Sequence, residues 1–206
     1  MLALDHVILG SKDPEATAGR LRLEHGLGAV PGGRHEGRGT ANRIVPLGPD
    51  YLEIVGVVDE DEARGDDFGR WVLERTAAGE RLLGWCLRTS DIGGVAARLR
   101  LEVTSWSRTR PNGRELSWRL AGLPEAMVEP SLPFFIQWET PTDLHPGREP
   151  VDHEAAGIAW VEVAGSPDRI RRWLGGAEIP VRVEQGKPGV RALAVSLRGR
   201  EVVLQP

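Results

Sequence analysis

Two ionisable residues stand out because their neighbours are apolar. His6 interrupts the run Leu4-Asp5-His6-Val7-Ile8-Leu9, and Glu53 interrupts Tyr51-Leu52-Glu53-Ile54-Val55. Both runs are short and aliphatic. Turn residues close the first (Gly10, Ser11, Lys12, Asp13-Pro14), which is the pattern of a buried strand. A lone histidine on such a strand is more often a hydrogen-bonded core residue than a ligand. A carboxylate among aliphatics is harder to dismiss, because burying it is costly unless it is paired, hydrogen-bonded or on a metal. The two strands are therefore expected to line one cavity, with groups suited to holding a cation or a proton.

The segments that must position these residues repeat. Residues 3–9 read as a strand and 14–23 as a helix, with Asp13 its N-cap and Pro14 at the first helical position. Further strands fall near 28–31, 41–47 and 51–57, giving βαβββ. An acidic stretch, 59–80, reads as a connecting helix with a solvated face. The pattern restarts with a strand at 83–87, a cap at Ser90-Asp91, a helix at 92–101 and strands near 102–106, 115–120 and 134–138. Residues 140–152, with three prolines and Gly147, read as a linker. A third unit follows, with strand 157–163, helix 168–174 and strands near 181–184, 190–197 and 201–204. The caps Asp13, Asp91 and Ser166 lie 78 and 75 residues apart, a regular spacing for a repeated module. Counting back seven from each cap gives His6, Gly84 and Ala159, and the matching slots on the closing strands are Glu53, Gln137 and Val203.

The chain has 206 residues, 40% hydrophobic and 27% charged, enough for a sizeable core. A net charge of −4 argues against a nucleic-acid surface. One cysteine, Cys86, excludes an internal disulfide and a Cys-rich zinc site, and nothing near it in sequence would lower its pKa. No apolar run reaches transmembrane length and no secretory leader is evident, so the expected location is the cytoplasm. Lys12 and Lys187 are the only lysines against many arginines, a composition typical of a GC-rich bacterial genome. Phosphate-loop, dinucleotide and G-x-S-x-G motifs are absent.

The run Leu4-Asp5-His6-Val7, the stretch His35-Glu36-Gly37-Arg38-Gly39-Thr40-Ala41-Asn42-Arg43 and the run Tyr51-Leu52-Glu53-Ile54-Val55 resemble the glyoxalase-like branch of the vicinal oxygen chelate superfamily. The resemblance is good over residues 1–58, moderate over 80–140 and only module-level over 150–206. It implies an α+β fold in which repeated βαβββ modules form a cupped mixed sheet. Residues 1–142 would hold the two modules that make the pocket (1–58 and 80–140), and 153–206 a third, C-terminal module. It also implies a divalent metal held by the first and last strands of each module. Carried over, the set is His6, Glu53 and Gln137, with Gly84 where a histidine is expected. Asn42, matching the family in position and sharing parity with Ile44, is expected on the cavity side.

His35, flanked by Arg34 and Arg38, reads either as a lid residue for an anionic substrate or as part of a solvated glycine-rich loop. Trp85, Trp118 and Trp138 read either as an aromatic wall for an organic ligand or as core. His25, His145 and His153 carry no assignment. Two functions follow. The leading one is a small-molecule enzyme of glyoxalase or dioxygenase type, in which a divalent metal of unidentified kind chelates vicinal oxygens of the substrate. There Glu53 is ligand and base, His6 a ligand, and Gln137 a weak ligand or substrate hydrogen-bonder. The alternative is a metal-free protein that binds or sequesters a small molecule in a tryptophan-lined cup, as antibiotic-resistance members do. The partner expected is a small molecule, not nucleic acid or membrane. The apolar third module must pack on the first two or pair with a second copy in a homodimer.

Overall fold

The computed structural model describes residues 1–110 and 113–205. Helix starts follow the caps seen in the sequence. The Asp13 carboxylate accepts from the backbone N–H groups of Glu15 and Ala16 at 3.1 and 2.9 Å, opening α1 (Pro14–His25). Asp91 accepts from Gly94 N and opens α4 (Ile92–Leu99); Ser166 accepts from Arg169 N and opens α6 (Pro167–Leu174). Each satisfies an N–H that the first turn leaves without a carbonyl.

The first module is β1 (Ala3–Gly10), α1, β2 (Val30–His35), β3 (Thr40–Pro46) and β4 (Tyr51–Val57). The acidic stretch folds as two helices, α2 (Glu60–Gly65) and α3 (Asp67–Thr76), capped by Asp59 and Asp66. The second module is β5 (Arg81–Arg88), α4, β6 (Val103–Thr109), β7 (Glu115–Ala121), a short α5 (Leu123–Val128) absent from the sequence expectation, and β8 (Phe134–Trp138). In both modules the last strand lies parallel beside the first. The eight strands close into a barrel in the order β1-β4-β3-β2-β6-β7-β8-β5. The two seams differ. β1 and β5 pair antiparallel along most of their length, whereas among the described residues β2 and β6 are paired in register at Arg34 and Thr109 alone.

After the barrel come two 3₁₀ turns (Thr142–Leu144 and Pro146–Arg148). Gly147 O accepts from Gly48 N, so the expected linker is tied to the barrel. Then follow β9 (Ala155–Gly165), α6, β10 (Val181–Gln185), β11 (Gly189–Leu197) and β12 (Arg200–Leu204). The element order is again βαβββ, but the strand order is β10-β9-β11-β12. β9 is paired along both edges by β10 and β11, leaving no edge for β12. Val203 therefore faces Ala194 of β11 and does not occupy a slot equivalent to Glu53.

Two cores lie back to back across β1 and β5. Outside the barrel, Leu4, Val7, Leu9, Trp85 and Leu87 pack with Val161, Val163, Leu193 and Val195 of the C-terminal sheet. Inside, Ile8 and Cys86 pack with Phe68, Trp71, Trp118 and Phe134. Alternation sends neighbouring residues to opposite cores, which is why β1 reads as a continuous apolar run.

Candidate active site

The barrel interior holds a cavity lined by an aromatic wall and one polar cluster. The wall is Tyr51, Phe68, Trp106, Trp118, Phe134 and Trp138, and the cluster is His6, His35, Asn42, Glu53 and Arg108. All five polar side chains are buried, His6 and Arg108 to 4% exposure.

His6 is oriented by its neighbour in sequence. β1 bulges between Leu4 and His6, and the Asp5 carboxylate accepts from His6 Nδ1 at 2.7 Å. Asp5 also accepts from Trp138 Nε1 at 3.0 Å and from His145 Nε2 at 3.2 Å. Gly147 N–H donates to His145 Nδ1, so the proton of the neutral His145 ring sits on Nε2. Burial would raise the Asp5 pKa, but hydrogen bonds from His145 and His6 outweigh it and hold the carboxyl well below the usual range. With Nδ1–H committed to Asp5, the Nε2 lone pair of a neutral His6 faces the cavity. The ring is held flat against Tyr51, centroids 4.6 Å apart.

Glu53 on β4 comes within 3.7 Å of that nitrogen through Oε2. Its other oxygen, Oε1, accepts from Asn42 Nδ2 at 2.5 Å and lies 3.6 Å from His35 Nε2. Burial would raise Glu53, but the histidines, the Asn42 hydrogen bond and Arg108 together lower its pKa. His35 ends β2 and is buried, with Nδ1 against Thr40 Oγ1 at 2.9 Å; burial pushes its pKa down to about 4. The Asn42 amide is oriented at both ends, because its Oδ1 accepts from Arg108 Nη1 at 2.6 Å. This contact requires glycine at position 32: a Cβ there would overlap Asn42 Oδ1 and come within 2.7 Å of Arg108 Nη1.

Of the residues singled out from sequence, His6, His35, Asn42, Glu53, Trp118 and Trp138 meet in this cavity. Gln137 does not join them. Ile136 and Trp138 face inward, so Gln137, one residue out of phase, faces outward, and its Oε1 accepts from Ile92 N at the start of α4. Trp85 is out of phase in the same way; it sits in the outer core and donates to Ser131 O. Gly84 pairs with Ile8 inside the barrel, whereas the residue paired with His6 across the seam is Cys86. Sequence reasoning missed Asp5, His145 and Arg108. The buried acid next to His6 was a usable signal. The other two are brought in by contacts 140 and 66 residues away in the chain.

The metal set implied by the resemblance is only partly present. His6 Nε2 and Glu53 Oε2 face each other, but the second module offers Cys86 and Ile136 in place of two further donors. Asp5, His6 and Cys86 do bring ligand atoms within 4.8 Å of one another. In that group Asp5 already accepts three N–H groups, and burial pushes the Cys86 thiol pKa well up, away from the thiolate a metal takes. His35 Nε2 also lies in the cavity, 3.6 Å from Glu53 Oε1, but among the described residues His6, Glu53 and His35 do not bring three ligand atoms within 4.8 Å of one another, as the three protein ligands of an open catalytic centre would. The residues present do not fit a resident metal.

A closed barrel of two βαβββ modules around such a cluster is the architecture of the vicinal oxygen chelate superfamily, whose members often use divalent metals. The chain belongs to the glyoxalase-like domain family, which it matches over residues 4–178. Among solved structures it is similar to a hypothetical protein from Staphylococcus aureus, with TM-score 0.73 and 17% identity over 100% of both chains. It is also similar to a single-residue variant of methylmalonyl-CoA epimerase from Streptomyces coelicolor, in complex with 2-nitronate-propionyl-CoA. There the TM-score is 0.50 at 19% identity, covering 68% of this chain and 100% of that one. No curated protein matches the sequence.

Proposed function

We propose that this protein is a small-molecule enzyme that moves a proton at a carbon beside a carbonyl, with Glu53 as the base. The observation that carries the reading is Glu53 Oε2 and His6 Nε2 facing each other at 3.7 Å inside an aromatic cavity. Asn42 fixes the Oε1 side of the carboxylate, leaving Oε2 free to take the proton. Asp5 keeps the His6 proton on Nδ1, so Nε2 can share the proton that Glu53 receives or hold a substrate hydroxyl. Negative charge developing on the carbonyl oxygen needs a donor already in place, and Arg108, with N–H groups beyond the one given to Asn42, can offer one. The wall of Trp106, Trp118 and Trp138 excludes water and accepts an apolar substrate body. A depressed Glu53 pKa favours the ionised form of the base at neutral pH.

The test is exchange of substrate C–H for deuterium in D₂O, followed by NMR. The panel is free 2-oxo acids, hydroxyacyl thiols and methylmalonyl-CoA, the last because its epimerase shares the barrel. At least one member should exchange, and Glu53→Gln should slow it by about 100-fold or more. Treatment with a chelator should leave the rate unchanged; a rate lost on chelation and restored by a divalent ion would return the site to metal catalysis. A panel that binds without exchanging would move the protein to the binding class.

A further inference from the structure

Among the described residues, Arg108 is a cation lining the cavity that no acidic side chain contacts directly; Glu53 and Glu149 act on it only at longer range. It is 4% exposed, on β6 and in phase with Trp106, so both point into the barrel. The hydrogen bond it makes within the chain is to Asn42 Oδ1, a neutral oxygen, at 2.6 Å. A guanidinium carries five N–H donors in a planar fork that matches a carboxylate, and burying it without an anion is costly. The nearest acid in this network, Glu53, is held off by the intervening Asn42 amide, whose far end donates to Glu53 Oε1 at 2.5 Å. Arg108 and Glu53 are thus spaced by one amide within a single cavity. A molecule anchored on the guanidinium through one end would present its adjacent carbon toward Glu53.

We infer that Arg108 is the substrate's anion anchor, and that the natural ligand is a small carboxylate with an apolar or aromatic body seated against the tryptophan wall. The inference rests on the proton-transfer reading for what happens to the adjacent carbon, but the anchoring stands on the cavity's own geometry. Gly32 supports it: the missing side chain is what lets Arg108 reach Asn42 from across the weak β2–β6 seam.

The test uses the full chain with phenylacetate and its uncharged isostere phenylacetamide. Binding is read by quenching of tryptophan fluorescence, since Trp106, Trp118 and Trp138 line the cavity, and by calorimetry. Phenylacetate should bind about tenfold or more tighter than phenylacetamide, the worth of a hydrogen bond to a charged group. Arg108→Gln should abolish that preference, and Arg108→Lys should keep part of it by retaining charge without the fork. Equal binding, tighter binding of the amide, or no binding of either overturns the inference. The wild-type comparison decides even if the Arg108 variants fail to fold. Deuterium exchange by a substrate lacking a carboxylate, together with loss of the phenylacetate preference, would remove the anchor and leave the Glu53 reading standing.

Discussion

The Asp5 carboxylate takes three N–H groups, and two of them decide what the cavity sees. Asp5→Asn keeps the shape and offers the His6 ring an amide that can donate as well as accept, so the ring tautomer is no longer fixed. The expected result is a loss of about 10–100-fold in exchange rate with little change in ligand affinity, measured as separate kcat and KM effects. An equal loss in both would mean that Asp5 only supports the wall. His35 gives a second residue-level expectation. Its pKa is about 4 in the folded protein against an ordinary 6.5. A base depressed by folding contributes stability that is full above pH 6.5 and is lost as pH falls toward 4. Urea midpoints between about pH 7 and 4.5 should therefore fall more steeply for the wild type than for His35→Gln. Parallel curves would show that the ring is not held neutral.

At the level of elements, what is local was legible in the sequence and what is paired was not. The caps Asp13, Asp91 and Ser166 each act within three residues of themselves, so helix starts and the βαβββ order could be read directly. Strand phase is set by partners far along the chain. One residue of phase turned Gln137 and Trp85 outward, and counting from caps pointed to Gly84 where the seam pairs His6 with Cys86. The third unit kept its element order while its strands paired differently, which periodicity cannot detect. Gln137→Ala is a direct check. It should cost about 1 kcal/mol in denaturant unfolding, as loss of a helix-start acceptor does, and leave phenylacetate binding untouched. Weakened binding would put Gln137 back in the cavity.

Across the whole molecule, the C-terminal sheet completes the outer core over β1 and β5, the strands that also carry the inner one. Removing residues 150–206 should expose Leu4, Val7, Leu9 and Trp85 together and leave the remainder insoluble, as judged by sedimentation of the expressed fragment. A soluble monomeric fragment would show that the barrel stands without its cover. The barrel itself is divided. Strands of the first module carry His6, Glu53, His35 and Asn42, whereas Trp106, Arg108, Trp118 and Trp138 come from the second. The proton-handling pair and most of the indole wall thus come from separate halves of one chain, tied together by Arg108 on Asn42 and Trp138 on Asp5. Substitutions on β6, β7 and β8 that spare Arg108 and Trp138, which hold Asn42 and Asp5, can retune which molecule is admitted while the proton-handling groups stay in place, making the rest of that wall the natural target for directed evolution of new substrate range.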